Sequence, residues 1–458
     1  MDIKIENNQQ LWYNFIYKGE FMNMLKRYCL ILLILVLLLI TGCKKNIPYT
    51  SFDLIDKDEI NIVVTSDLHF LSKTMVEEGS NMLKENYYGD GRIICYNEEL
   101  IDAFIYQMIK EKPDVVIITG DLTFDGSYQN HLELTKKLKK LINNNIRVLV
   151  TPGNHDINNA ASKKYLNGSI EKAKYLSAKD YEEMYFEYGR GNAINKDKNS
   201  YSYFYQISDT LGVLMLDSNC YDMDGDTSKS FTNGVIKEET LEWIDQVLKY
   251  YKNLDIIATS HHNLFTHSTM FKSGYQIDNH DELRNILNKY NVKLYLSGHM
   301  HIQHINNDES ITEVLTSALS ITPHQYGVIK YSKHNQYLYR YSTKITNVSE
   351  YHKSINSTDP NLLDFSEYSK NFYKESSYKK AYEQIMFNNS SLHKEAEALG
   401  RLMSLLNGPY FEGSAYNIVS DIKETEDYQL INKINMKAYI DSIIDGSNID
   451  HRYVNIER

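Results

Sequence analysis

Five short apolar runs each end in a cluster of acids, amides or imidazoles, and this pattern constrains the fold more than any other feature. Ile60–Thr65 leads into Ser66-Asp67-Leu68-His69, and Asp114–Ile118 into Thr119-Gly120-Asp121-Leu122-Thr123. Arg147–Val150 leads into Pro152-Gly153-Asn154-His155-Asp156. Asp255–Thr259 leads into the pair His261-His262, and Val292–Leu296 into Gly298-His299-Met300-His301. Runs this short and rich in Val and Ile read as buried strands. Helical spacing lies between them, over Asn97–Lys110, Gln129–Leu141, Lys237–Tyr251 and Glu282–Lys289. The alternation predicts an α/β fold with right-handed crossovers and a largely parallel central sheet, in which strand ends gather the chemistry.

The remaining stretches add detail. Leu71–Asp90 has no clear period and reads as a loop. Tyr201–Ile207 and Val213–Leu216 read as two strands, and Ile311–Tyr341 holds several short β-like runs. Lys136, Lys137, Lys139 and Lys140 on the second helix read as a solvated face. After about Val348 the chain turns polar, tyrosine-rich and glycine-poor. Helical periods over Tyr378–Met386, Leu392–Leu406 and Tyr428–Ile444 predict a small helical C-terminal domain over 349–458.

A formal net charge of −11 makes a nucleic-acid polymer a poor partner, because such partners select basic surfaces. The N-terminus is more informative. Lys26-Arg27 precede an apolar stretch from Cys29 to Ile40, which ends in Ile40-Thr41-Gly42-Cys43. A basic start, an apolar run too short for a comfortable span and small residues at its end describe a signal segment. The ending resembles a bacterial lipobox, which implies lipidation of Cys43 and a body held at the outer face of the cytoplasmic membrane. A plain N-terminal anchor is the competing reading. Met24 is the natural start for such a signal, and 1–23 read as an upstream artefact or an unusual extension. Residues 44–58 then form a polar tether and 59–348 the catalytic domain. Cys95 and Cys220 read as two separate buried thiols, with a disulfide between them as the alternative.

The chemistry lies in the clusters. Asp67 and His69 flank Leu68, and His299 and His301 flank Met300. On an extended segment such i, i+2 pairs share a face and reach one ion. Asp121 is the candidate bridging carboxylate, and Asn154 offers an amide oxygen. Hard oxygen ligands with imidazoles and no thiolate suit two divalent ions such as manganese, iron or zinc. Two such ions neutralise a phosphodiester, acidify a bound water and clamp the attacking and leaving oxygens. His155 is spare and is the natural proton donor, with Asp156 or Asp125 orienting it. His262 reads as a phosphate contact or as support for a ligand. His267 and His304 read as polar loop residues. Asp222, Asp224 and Asp226 lack the spacing of a calcium loop and read as a solvated loop.

The ordered set Asp-x-His, Gly-Asp, Gly-Asn-His-Asp, His, Gly-His-x-His resembles the calcineurin-like metallophosphoesterase superfamily over about residues 60–345. The resemblance implies a four-layer α/β/β/α sandwich. It implies one ion on Asp67, His69, Asp121 and His301, a second on Asp121, Asn154, His261 and His299, and His155 as the catalytic histidine. Gly-Asp-Leu-Thr, Gly-Asn-His-Asp and the complete Gly-His-x-His look like the bacterial class III cyclic-nucleotide phosphodiesterase branch. Soluble members carry His-His-Pro-Pro where this chain has His261-His262-Asn263-Leu264. That departure, with Gly298–Gln303, resembles the lipoprotein members, which carry a helical C-terminal domain.

The expected activity is two-metal hydrolysis of small phosphodiesters, cyclic nucleotides first, by in-line attack of a metal-bridging hydroxide. A phosphomonoesterase, or a phosphodiesterase acting on head groups or wall polymers at the cell surface, is the alternative. A catalytically inactive surface-binding lipoprotein is the alternative of another class, and a missing ligand would favour it. A repair-type nuclease shares the ligand set but fits poorly with a secretion signal and negative charge.

Overall fold

The computed structural model describes residues 23–24, 26–28, 47, 49–77, 91–166, 168–221 and 232–458. Cys43, the apolar stretch Cys29–Ile40 and Asp222, Asp224 and Asp226 lie outside the described residues. No helix among the described residues is long and apolar enough to cross a membrane.

In chain order the first half runs β1 (Glu59–Thr65), α1 (Asn97–Glu111), β2 (Val115–Ile118), α2 (Tyr128–Asn143) and β3 (Arg147–Val150). A hairpin of β4 (Lys163–Leu166) and β5 (Ser169–Lys172) follows, then α3 (Ala178–Tyr185). The second half runs β6 (Asn195–Lys196), β7 (Tyr203–Gln206), β8 (Leu211–Met215), α4 (Glu238–Tyr250), β9 (Asp255–Thr259), α5 (His280–Lys289) and β10 (Leu294–Ser297). Next come β11 (His304–Asn307), β12 (Thr312–Leu315), β13 (Gln325–Ser332) and β14 (Tyr337–Ile345).

Apart from the β4-β5 hairpin, the strands of the described residues form two sheets, not one largely parallel sheet. The first has the order β15-β14-β13-β1-β2-β3, where β15 is Tyr453–Glu457, and the second β11-β12-β10-β9-β8-β7-β6. Pairing is parallel through β1-β2-β3 and through β8-β9-β10-β12, and antiparallel outside those blocks. Period-two alternation explains the layering. Ile62, Val64 and Ile117 of the first sheet meet Val213, Ile257 and Leu296 of the second in one core. Their neighbours Val63, Val116 and Val148 face Phe104 of α1 and Leu138 of α2. On the far side Leu214, Ile256 and Tyr295 face Ile244 of α4 and Leu287 of α5. The result is the four-layer helix, sheet, sheet, helix sandwich.

Several expectations change in detail. Lys137 is buried between Glu98 at 3.0 Å and Asp102 at 2.8 Å, so it ties α2 to α1 and is not part of a solvated face. Cys95 and Cys220 are not bridged, and Cys95 is exposed. Residues 49–58, read as tether, are docked: Thr50 donates twice to Glu187 Oε1 and Ile55 is buried.

After β14 come α6 (Val348–Ser354), α7 (Pro360–Leu363), α8 (Phe365–Asn388), α9 (His393–Glu412), α10 (Glu426–Leu430) and α11 (Lys437–Gly446). The apolar faces of α9, α10, α11 and the end of α8 share a core with Ile302 and Leu315, whereas Val348 of α6 and Leu362 of α7 pack with Leu100 and Ala103 of α1. The single helix read over Tyr428–Ile444 is two short helices with a 3-10 turn between them. The chain then returns as β15 along β14, so its last residues belong to the first sheet.

Candidate metal centre

The clusters sit just past the strand ends. β1 stops at Thr65, β2 at Ile118, β9 at Thr259 and β10 at Ser297. The ladder continues irregularly beyond them: Asp67 N donates to Gly120 O at 3.1 Å and His69 N to Asp121 O at 3.0 Å. The extended conformation expected for the i, i+2 pairs is not what converges them. Asp67, His69, Asp121, His299 and His301 all have positive φ, between 42° and 74°. Left-handed residues without a special reason are rare and cost stability, and such strain collects at functional sites. Here the turned backbone aims side chains of separate loops at one point.

Two groups result. Asp67, His69, Asp121 and His301 form the first, and Asp121, His261 and His299 the second. In the first, His69 Nε2 and His301 Nε2 are 3.0 Å apart. His301 Nε2 is 3.4 Å from Asp67 Oδ1, and His69 Nε2 is 3.7 Å from Asp121 Oδ2. In the second, His261 Nε2 lies 3.4 Å from Asp121 Oδ1 and 3.1 Å from Asn154 Oδ1. Asp121 thus turns one oxygen to each group.

The rings are held from behind. The nitrogen of His261 that faces away, Nδ1, lies 2.8 Å from Thr119 O, and His299 Nε2 lies 2.9 Å from Gly274 O. A ring N–H given to a carbonyl leaves the other nitrogen as an acceptor for a metal. Burial alone would lower the pKa of His261, but the neighbouring carboxylates of Asp121 and Asp67 outweigh it and raise it to about 9. Burial would raise Asp121, and the imidazoles of His261, His155 and His69 hold it well below the usual carboxylate range.

Close backbone approach is built in. A Cβ on Gly153 would lie 2.2 Å from Asp121 Oδ1, and one on Gly298 would lie 1.8 Å from Ser66 Oγ. Neither position has room for a side chain without moving a ligand.

His155 stands beside Asp121, with Nε2 3.9 Å from Oδ2, and is 35% exposed where His69 and His261 are sealed. It is the most exposed ring of the cluster, ahead of His301 at 22%. Neither Asp156 nor Asp125 orients it: His155 Nδ1 pairs with Phe124 O at 3.0 Å. Asp156 instead accepts from the backbone N–H groups of Gly153, Leu122 and Thr123 at 2.8, 3.1 and 3.0 Å. It staples the Gly-Asp loop to the Gly-Asn-His-Asp loop. Asp125 accepts from Ser127 N and Lys163 N. His262 is fully buried, its Nδ1 2.8 Å from Ser218 Oγ and its Nε2 3.0 Å from Thr232 O, and it packs edge-on against His299. Both nitrogens are engaged, and the ring lies behind His299.

Two features escaped the sequence. Arg92, in a stretch without periodicity, lays its guanidinium over Phe124 at 4.8 Å. After burial, its charge is the next influence lowering His69, and it also lowers His155. No local pattern marks such an arginine, since only the fold brings it to the site. His267 does lie in a loop and His304 opens β11, but neither is solvated: both are buried, 2.9 Å apart through their Nδ1 atoms, with His267 Nε2 2.9 Å from Glu313 Oε2. His304 stacks on His451 at 3.9 Å.

A family model described as calcineurin-like phosphoesterase matches residues 60–303, more than half of the chain. The chain belongs to the calcineurin-like phosphoesterase family. A second model, the C-terminal domain of cyclic nucleotide phosphodiesterase, matches residues 347–450 of this phosphoesterase. A protein of Vesicomyosocius okutanii named a probable cyclic nucleotide phosphodiesterase is 28% identical over 41% of this chain and 62% of its own. A 3′,5′-cyclic-nucleotide phosphodiesterase of Nostoc is 24% identical over 42% of this chain and 58% of its own. A probable glycerophosphodiester phosphodiesterase of Arcobacter nitrofigilis is 26% identical over 45% of this chain and 66% of its own. The chain thus spans about three fifths of the length of these curated relatives.

The family uses two divalent metal ions, and the residues present fit them. Asp67 Oδ1 is buried with no hydrogen-bond partner, an arrangement that is costly unless a cation completes it. The donors are carboxylate, amide oxygen and imidazole, the set expected for manganese, iron or zinc.

Proposed function

We propose that this phosphoesterase is a two-metal hydrolase of small phosphodiesters, with cyclic nucleotides as the leading substrate class. The observation that carries the reading is Asp121, with Oδ2 toward His69 and Oδ1 toward His261. A carboxylate shared between two groups of ligands is what a pair of adjacent cations requires.

Asp67, His69, Asp121 and His301 would hold one ion, and Asp121, Asn154, His261 and His299 the other. When bound, the ions supply positive charge to the phosphate and acidify water at neutral pH. The chain's own side chains do the rest. Arg92 adds a fixed positive charge beside the clusters. Phe124 O fixes the ring of His155, which leaves Nε2 directed toward the centre. Burial lowers the pKa of His155 below its usual value. An anionic phosphate beside it would favour the imidazolium, and Nε2 then holds a proton for the leaving oxygen.

The names of the relatives support cyclic nucleotides over other diesters, and the name of the Arcobacter protein keeps a glycerophosphodiester as the second substrate reading. The N-terminal sequence supports a lipid anchor at Cys43 and a body outside the cytoplasmic membrane. That location favours extracellular nucleotides or head groups over cytoplasmic ones. The test is hydrolysis of bis-p-nitrophenyl phosphate and of 3′,5′- and 2′,3′-cyclic AMP by manganese-loaded protein. His155→Ala should lower kcat by about 10²–10⁴ while metal content stays. Equal rates for the two proteins, or no turnover of any diester, would overturn the reading.

A further inference from the structure

The loop Gly298–Gln303 faces two ways. His299 and His301 belong to the metal clusters, whereas Met300 and Ile302 pack into the core of the C-terminal helices. Gln303 extends the joint: its N donates to Phe411 O at 3.0 Å and its Nε2 to His451 O at 3.0 Å. The C-terminal helices are therefore anchored on the backbone that carries two candidate ligands.

Between that loop and those helices lies a cavity of about 480 Å³, a size in the usual range for small-ligand sites. Its floor includes His299 and His301 themselves. An ester group on a phosphate at the metal centre has this space beside it. The far wall comes from α8, α9 and α11 through Tyr373, Met403, Phe411 and Tyr439, and Phe271 closes one side. Flat aromatic rings and polarisable thioethers suit a flat aromatic guest. Polar groups also lie within this wall: Asn407 Oδ1 accepts from the Tyr439 hydroxyl at 3.1 Å, and Asn407 Nδ2 donates to Ser377 Oγ at 3.3 Å. An alkyl chain would leave those groups without a partner beyond each other, whereas a heteroaromatic edge offers donors and acceptors. Glycerol would leave the aromatic wall unused.

We propose that the C-terminal helices build a specificity subsite for the alcohol portion of the substrate, and that this portion carries a flat heteroaromatic group such as a nucleobase. The assignment rests on the phosphodiesterase reading above. It gives the C-terminal segment a role in substrate choice, through contact with the part of the ester that does not react.

The test compares two diesters with the same leaving group, p-nitrophenyl thymidine 5′-phosphate and methyl p-nitrophenyl phosphate, on the full manganese-loaded chain. Stacking on one or two rings predicts a preference for the nucleoside ester of about tenfold or more in kcat/KM. Phe411→Ala, which removes a wall ring, and Met403→Trp, which fills the space, should each shrink that ratio toward unity. Because the ratio is internal, a general loss of activity does not mimic the effect. Calorimetric titration of the unmodified protein should also show thymidine 5′-phosphate binding about tenfold tighter than ribose 5-phosphate. No preference in the unmodified protein, a ratio unchanged in both variants, or binding of ribose 5-phosphate as tight as that of thymidine 5′-phosphate would each overturn the assignment. Failure to hydrolyse either ester while the calorimetric preference persists would instead remove the phosphodiesterase reading and leave the subsite standing.

Discussion

Asp67 accepts the backbone N–H of His299 on Oδ2 at 3.0 Å, and this bond joins the first motif of the chain to the last. Its other oxygen, Oδ1, has no hydrogen-bond partner and faces His301 Nε2 at 3.4 Å. One carboxylate thus positions a loop with one oxygen and keeps the other for a cation. Asp67→Asn removes the charge and places an amide where the fold needs two acceptors. The expected outcome is loss of about one metal ion per chain and a fall in diesterase activity of about a hundredfold or more. Metal analysis beside a rate measurement checks it, and full metal content in the variant would refute the division of labour.

Gly153 lies against Asp121 so closely that any Cβ would sit 2.1 Å from its backbone nitrogen and 2.2 Å from Oδ1. Gly153→Ala must therefore push the bridging carboxylate away or open the loop that Asp156 staples. Overpacking of this kind costs about 1–3 kcal/mol. The prediction is a lowered melting temperature together with loss of both metals. A variant that melts lower yet binds two ions would show that the loop, and not the carboxylate, had yielded.

Much of this was legible because the chemistry is local in sequence even though the site is not. Each candidate ligand follows its own strand by two to four residues, so apolar runs marked where to look. The β3 and β9 boundaries coincide with their apolar runs, since buried parallel strands are apolar throughout. The second sheet was not legible, because a fully apolar run does not say which sheet it joins. The left-handed turns at Asp67, His69, His299 and His301 were hidden for another reason. Positive φ is expected at glycine, and here tertiary bonds impose it on acids and histidines. Arg92 and the carbonyl of Phe124 come from segments with no helix or strand pattern of their own, and the helical periods behind the cavity wall do not say where their faces dock. Only long-range packing brings them to the site.

His261 makes metal uptake pH-dependent. Without ions, burial opposes its charge but Asp121 beside it raises its pKa to about 9. The sign follows directly. The raised pKa stabilises the metal-free protein most below the ordinary value of 6.5, and that stability is lost as pH rises through about 9. A metal needs the neutral ring, so binding must expel the proton. Apparent affinity for manganese should therefore climb by up to about tenfold per pH unit between 6.5 and 9, then level off. Manganese titrations across that range check it, and a flat profile would mean that Asp121 does not protonate His261.

His304 and His451 stack at 3.9 Å where the end of the chain returns to the catalytic body. Both rings donate an N–H to the same carbonyl, with His304 Nε2 3.1 Å and His451 Nε2 3.0 Å from Gly446 O. Burial lowers the pKa of each, and His267 nearby lowers them further. A depressed histidine contributes stability that is present above its unfolded value, near 6.5, and is lost as pH falls below it toward the folded one. Each such histidine costs about 1.4 kcal/mol per pH unit over that window. Acidification from pH 7 to pH 5 should thus loosen the joint between α11, β15 and β11 before the sandwich itself opens. Hydrogen exchange should rise first in residues 437–457, and His304→Gln should make that region less sensitive to acid. Uniform protection of the whole chain down to pH 5 would rule the histidine cluster out as its acid-sensitive seam.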